Sequence, residues 1–193
     1  IKKTRLTAFA HPRTGGIIAL TLTPGDNLLQ VLDAGNEADV LLASRNGKAI
    51  RFKVEDIREI GRTGRGVKGI TLKGQDRVVG MEVLDREAGL MTVTSRGFGK
   101  RTDLGAYRRQ SRGGQGLINI KTTARNGHVV TIRAVSDRDE LMLITTRGKM
   151  IRTAIRDIKA LGRNAQGVRL IRMGENESVG AVARIASKEA EEA

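Results

Sequence analysis

The sequence predicts an all-β protein, a propeller-like array of four-stranded blades built from about four repeats of roughly 50 residues. The first observation behind this is a cationic glycine turn that occurs four times: Arg13-Thr14-Gly15-Gly16-Ile17, Gly61-Arg62-Thr63-Gly64-Arg65-Gly66-Val67, Arg112-Gly113-Gly114-Gln115-Gly116-Leu117 and Gly162-Arg163-Asn164-Ala165-Gln166-Gly167-Val168. Its last glycines, Gly16, Gly66, Gly116 and Gly167, stand 50, 50 and 51 residues apart, a period of propeller blades rather than of helical solenoids. The second observation is that the same four strand-like segments recur in the same order between these turns. The third is composition: 24 Gly against 2 Pro means tight turns made at positive φ and not by proline.

Each segment type has its own character. The first is basic: Ile1–Leu6, Lys48–Val54, Phe98–Asp103 and Lys149–Ile155. The second follows the glycine turn: Ile17–Leu22, Val67–Leu72, Leu117–Thr122 and Val168–Met173. The third is an apolar run, at Leu28–Leu32, Val78–Leu84, Val129–Val135 and Val179–Ile185, and the fourth covers Val40–Ser44, Leu90–Ser95 and Leu141–Thr146. β-Branched and aliphatic residues bounded by Gly, Asn and Asp predict strands throughout. Val54–Ile60 and Ile155–Leu161 differ, because Ile57 and Ile60, or Ile158 and Leu161, sit three apart and predict a short helical turn.

The fourth strand joins the next first strand through Arg45-Asn46-Gly47-Lys48, Ser95-Arg96-Gly97-Phe98 and Thr146-Arg147-Gly148-Lys149. These read as hairpins, with Asn46-Gly47 suited to a type I′ turn. Ile1–Leu6 has no such partner, so an exposed edge is expected there. The chain starts on Ile1 inside a repeat element and is read as part of a longer polypeptide.

The formal charge is +14 and the pI about 11.0, which points to a polyanionic partner. The last seven residues hold one Lys and three Glu, so their −2 leaves +16 on the rest, and the positive charge belongs to the repeats. Absent cysteine removes disulfides and thiolate metal sites and suits a reducing cytosol. No apolar run approaches the roughly 18 residues of a membrane span, and neither a membrane partner nor a signal peptide is expected.

Catalytic chemistry finds little support. His11 and His128 lack a second His or Cys at ligand spacing, so no metal is expected. Gly97-Phe98-Gly99-Lys100-Arg101-Thr102 resembles a phosphate loop only in part, because Thr94 stands where the leading glycine belongs and Arg101 where Ser/Thr belongs. Tyr107 has no general base beside it and is expected to pack against the glycine turn.

The basic positions are more informative. Aligned by repeat, the first strands carry Lys3, Arg51, Arg101 and Arg152 in one register, near Lys48, Lys100 and Lys149. The glycine turns carry Arg13, then Arg62 and Arg65, then Arg108, Arg109 and Arg112, then Arg163, with Lys68 and Arg169 just after. A repeat sets equivalent residues at equivalent points about an axis, so these residues are expected to form rows of cations that track a phosphate backbone. The other reading of any one arginine is a surface charge paired with Asp56, Glu59 or Asp157. With one Tyr, three Phe and no Trp, base stacking is a poor recognition mode, and backbone contact with a duplex fits better than a single-strand reader.

Taken together, KKTRLTAF, GKAIRF with IREIGRTGRGVKGITL, GFGKRTDLGAYRRQSRGGQGLINIK, RNGHVV and IKALGRNAQGVRLIRM resemble the C-terminal domain of the DNA gyrase A subunit over residues 1–186. That resemblance implies a β-pinwheel whose neighbouring blades exchange a strand and whose basic perimeter wraps double-stranded DNA. It divides the chain into a wrapping domain, 1–186, with repeats near 1–46, 47–96, 97–147 and 148–186, and an acidic tail, 187–193. It also implies a bacterial, cytoplasmic, nucleoid-associated parent, a heterotetramer of gyrase A and gyrase B that introduces negative supercoils with ATP and Mg bound elsewhere, and no enzymatic activity or cofactor in this fragment. The family's Gln-Arg-Arg-Gly-Gly-Lys-Gly box has a degenerate counterpart in Gln110-Ser111-Arg112-Gly113-Gly114-Gln115-Gly116, and four repeats stand where about six blades are usual. The alternatives are an unrelated propeller scaffold that binds RNA or an acidic protein, and the C-terminal domain of the topoisomerase IV A subunit.

Overall fold

Three antiparallel hairpins form the spine of the molecule, described here by a computed structural model of residues 1–84 and 89–187. They pair β1 (Asp39–Ser44) with β2 (Lys48–Lys53), β4 (Gly89–Thr94) with β5 (Phe98–Asp103), and β8 (Glu140–Thr145) with β9 (Met150–Ala154). At each hairpin tip the glycine alone has positive φ, 81° at Gly47, 75° at Gly97 and 80° at Gly148, while Asn46 does not. The turns are therefore type I turns closed by a left-handed glycine, not the type I′ expected at Asn46-Gly47, which needs both central residues at positive φ.

The third-type segments β3 (Val78–Leu84), β7 (Val129–Val135) and β11 (Val179–Ile185) lie on the outer edge of β1, β4 and β8. Each of these pairings shifts register once, at Ala43/Ser44, Val93/Thr94 and Val179/Ala181. The fourth place is filled from the next repeat. β6 (Leu117–Ile118) pairs with β2, and β10 (Val168–Arg169) with β5, which gives strand orders β3-β1-β2-β6, β10-β5-β4-β7 and β11-β8-β9. This is a propeller or pinwheel with exchanged strands.

The recurring glycines follow from that exchange. Gly66, Gly116 and Gly167 have φ of 103°, 69° and 83°, and a Cβ on them would lie 2.6, 2.5 and 2.7 Å from the carbonyl oxygens of Ile1, Ala49 and Gly99. The turn passes directly over the first strand of the preceding repeat, so only glycine fits.

The first repeat departs from expectation. Ile17–Leu22, Leu28–Leu32 and Val67–Leu72 are not strands, and Leu117–Thr122 and Val168–Met173 shrink to the two residues of β6 and β10. The pairing rule explains the first two: their partners in the rule are strands of a preceding repeat, the described residues hold none, and Ile18, Leu28, Leu29 and Val31 stay exposed. Ile1–Leu6 holds its place through backbone bonds between Ile1 and Val67 and a bridge from Lys3 to Glu59, then turns into a 3-10 helix at Leu6–Phe9. Expected helical turns are present at Val54–Asp56 and Ile155–Asp157, and a third occupies Leu104–Ala106.

Both faces of the β1–β2 and β4–β5 hairpins are covered, whereas β8 buries alternate residues and β9 buries none. Leu41 and Ala43 face a cluster with Leu90, Leu104, Tyr107 and Ile132, whereas Val40 and Leu42 face Phe52, Val54 and Ile57. A second inter-sheet cluster joins Met91 and Val93 to Leu141, Leu143 and Ile155. Each such aliphatic side chain contributes roughly 1.5–3 kcal/mol on burial, so packing between sheets dominates the array's stability.

Candidate nucleic-acid interface

The first-strand row turns inward. Lys3 donates from Nζ to Val54 O at 3.0 Å, Arg51 from Nη1 to Leu104 O at 2.9 Å, and Arg101 from Nε to Ile158 O at 2.8 Å. Val54 and Leu104 open a helical turn of the following repeat and Ile158 directly follows one, so each cation adds a bond from the neighbouring blade to that segment. Arg51 also meets Asp39 at 2.6 Å, with the carboxylate 3% exposed, and Arg101 pairs with Asp137. Strand alternation places these side chains on the face that meets the next repeat. They fasten one blade to the next, contrary to the expectation of a surface row. Arg152, with no later repeat in the described residues to reach, is exposed and pairs with Glu140 across its own hairpin.

Of the neighbouring lysines, Lys48 is exposed and Lys149 donates to Arg172 O at 3.1 Å. Lys100 corrects the sequence reading outright: it is 0% exposed and donates to Gly162 O at 2.7 Å and Arg163 O at 3.1 Å. Desolvation, helped by the nearby Arg163 charge, pulls its pKa down to about 8.

The glycine-turn row is also tied between repeats. Arg62 donates to Ile18 O at 3.1 Å, Arg112 to Lys68 O at 2.7 Å and Arg163 to Ile118 O at 3.1 Å, equivalent carbonyls one repeat back. Arg13, Arg65, Lys68 and Arg108 stay exposed beside them. Arg109 does both: 57% exposed, it reaches Asp39 with Nε at 2.9 Å, so one buried carboxylate is held by Arg51 and Arg109 together.

The degenerate box is a wedge between repeats. Gln110 N–H donates to Arg51 O, Gly113 N–H to Gly69 O, and Thr71 N–H to Gly114 O, each at 2.8 Å. Gly116 lies on Ala49, whereas Ser111 and Gln115 face solvent.

Arg169, expected on the interface, is exposed at a corner the sequence reading did not foresee. Its guanidinium lies 5.4 Å from the centre of the Phe98 ring, and that of Arg125 lies 5.0 Å away. Arg96, at the β4–β5 hairpin, and Arg172, just past β10, line the same depression of about 520 Å³. The available signal was departure from the repeat: Phe98 stands where the other hairpins have Lys48 and Lys149, and Arg169 where the other exchanged strands have Ile18, Lys68 and Ile118.

Tyr107 is 2% exposed, and its hydroxyl donates to Asn119 Oδ1 at 2.6 Å; burial drives its pKa well above the usual phenol value. Among the described residues no group of three or more His, Cys, Asp and Glu side chains is arranged to hold a metal, and no helix is long and apolar enough to cross a membrane.

The repeating geometry has counterparts among known proteins. The family model for the DNA gyrase C-terminal domain, a beta-propeller, matches residues 38–85, 90–136 and 139–186. The chain belongs to this family. Each matched stretch holds one hairpin and the outer strand that pairs with it, and the second and third also carry the strand exchanged into the preceding sheet. The DNA gyrase A subunit of Salmonella typhimurium is 46% identical over 186 residues, 96% of this chain and 21% of that protein. Its counterpart in Escherichia coli K12 is 42% identical over 192 residues, 100% of this chain and 22% of that protein. The chain thus spans about a fifth of the length of these relatives. A solved DNA gyrase A C-terminal domain superposes with a TM-score of 0.84 at 27% identity, covering 96% of this chain and 62% of the other. The C-terminal domain of DNA topoisomerase IV superposes with a TM-score of 0.89 at 23% identity over 95% of this chain and 58% of the other, a likeness of fold.

Proposed function

We propose that the chain binds duplex DNA through phosphate contacts along its basic surface and curves the duplex around the array. It would do so as the C-terminal part of a gyrase A subunit. The observation that carries this reading is 42–46% identity to gyrase A subunits, running the length of the array, on a chain with a formal charge of +14. Scarce aromatics favour backbone contact over base stacking. In the intact protein, on this reading, the gyrase A core and gyrase B supply strand passage, ATP and Mg. The parent works on the nucleoid in the bacterial cytoplasm, and this part presents the duplex without cleaving it.

The test is a relaxed plasmid treated with topoisomerase I in the presence of the chain. Wrapping leaves topoisomers of shifted linking number after the protein is removed. In parallel, affinity for linear duplex should rise with length to a plateau, and log affinity should fall by about 0.9 per phosphate with log salt. No shift in linking number and no dependence on duplex length would sink the proposal, and tighter binding to RNA or to an acidic protein would replace it with the scaffold reading.

A further inference from the structure

Arg96, Arg125, Arg169 and Arg172 reach one corner from three separate places in the chain. The β4–β5 hairpin supplies Arg96, the loop before β7 supplies Arg125, and the exchanged strand β10 with its continuation supplies the other two. All four side chains are exposed and none is in an ion pair with a described carboxylate. The one carboxylate lining the depression, Glu177, is engaged: it accepts the Gly174 N–H at 2.5 Å and lies 3.6 Å from Lys149 Nζ. Hydrogen bonding, first from Thr145, lowers its pKa.

Gathering like charges is unfavourable unless an anion answers them. Here the arrangement is fixed in advance, because the buried Phe98 ring, 3% exposed, carries two of the guanidinium groups by cation–π contact. Guanidinium groups present planar forks that match phosphate oxygens two at a time. The corresponding corner of the preceding sheet offers Asn46, Lys48, Ile118 and Lys121, with no aromatic ring and no guanidinium at these positions.

We infer that the Phe98 corner is the anchor for the phosphodiester backbone of the duplex. Arg125 and Arg169, held on the ring, grip phosphate directly, while Arg96 and Arg172 extend the grip to its neighbours. This rests on the reading that the chain binds duplex DNA.

The test compares two double variants of equal charge loss, Arg125→Ala/Arg169→Ala and Arg13→Ala/Arg65→Ala, on one duplex across a salt series. The corner variant should bind about tenfold more weakly or worse, with a salt slope shallower by about two units, and melt as the wild type does. The Arg13/Arg65 variant should lose distinctly less. Equal losses in the two would mean that affinity follows net charge alone and would overturn the anchor. Wild type that fails to bind duplex would instead overturn the wider DNA reading. If the alanine variant melts early, Arg125→Lys/Arg169→Lys replaces it: severalfold weaker binding with the slope kept supports a guanidinium grip, and unchanged affinity refutes it. Titration with tripolyphosphate separates a free phosphate ligand from the duplex. Weak binding that high salt abolishes supports the backbone, whereas tight binding together with an unchanged duplex affinity in the corner variant overturns it.

Discussion

Arg51 and Arg169 are both arginines on strands of a strongly basic array, yet their surroundings differ in every respect that decides a role. Arg51 is 20% exposed, sits on a carboxylate that is 3% exposed, and reaches the carbonyls of Leu104 and Tyr107 in the next repeat. Arg169 is exposed, meets no carboxylate among the described residues and lies on an aromatic ring with Arg125. The first kind recurs wherever two repeats meet: Lys3, Arg51 and Arg101 reach forward to the helical turns, and Arg62, Arg112 and Arg163 reach back from the glycine turns. The second kind occurs once among the described residues. In a repeat array every unit must bind the next, so the cations that recur in register are the fasteners. Exposed cations outside those joints, Arg169 among them, are free to meet a ligand.

The largest expected effect that would break this division is at Arg51. Arg51→Ala leaves the buried Asp39 with Arg109 alone and removes the guanidinium bonds to Leu104 O and Tyr107 O, and should cost about 3 kcal/mol in urea unfolding. Duplex affinity of the folded fraction should barely change. A stable Arg51→Ala protein with a lost DNA slope would move Arg51 to the ligand-binding class. Next comes Gly116→Ala, which places a Cβ against Ala49 O in a backbone with φ of 69° and should cost about 2 kcal/mol. The same substitution at Gly16, where a Cβ would meet nothing within 4 Å, should cost less. Equal costs would show that φ alone, and not the close approach of the preceding strand, sets the glycine requirement.

Arg112→Ala tests the glycine-turn row at a smaller scale. Loss of its bond to Lys68 O should lower stability by about 1 kcal/mol, with a smaller loss of duplex affinity than at the Phe98 corner. The reverse order would return the glycine turn to the centre of the DNA path.

The period of Gly16, Gly66, Gly116 and Gly167 was legible because each turn needs a positive φ, and at the last three a strand also crosses too closely for a Cβ. Hairpins were legible from Gly47, Gly97 and Gly148 because all three turns close on a positive φ. The shortness of β6 and β10 was not, since apolar runs such as Val168–Met173 look alike whether they pair along their length or over two residues and then pack. Nor was the direction in which Lys3, Arg51 and Arg101 point, because facing solvent or the next blade depends on how repeats stack. Register in the sequence revealed equivalence, and only the stacking revealed that equivalence here means contact with a neighbour. Arg169 is legible in its row beside Lys68, but Phe98 and Arg125 stand outside the rows, and the rows alone do not bring the three together.

The last prediction has the smallest effect and separates the two classes at a lysine. Lys100 has an ordinary value of 10.5 that falls to about 8 in the fold, because burial disfavours the ammonium and Arg163 adds its charge. Between these two values the unfolded chain binds more protons than the folded one, so the contribution of this group to stability rises with pH. Below about 8 both states are protonated and the full cost of burying the charge is present. From pH 7 to about 8.5 the wild type should therefore gain a little under about 1 kcal/mol over Lys100→Met, which cannot titrate. The comparison does not depend on how stable the methionine variant is at pH 7, where the lost bonds to Gly162 O and Arg163 O and the relieved desolvation act in opposite directions. Duplex affinity relative to Lys100→Met should stay constant over the same interval, because the ammonium is out of reach of a phosphate. Unfolding curves and duplex titrations at the two pH values read both quantities. A flat stability difference with a falling affinity ratio would place Lys100 on the DNA path and undo the assignment of recurring cations to the joints.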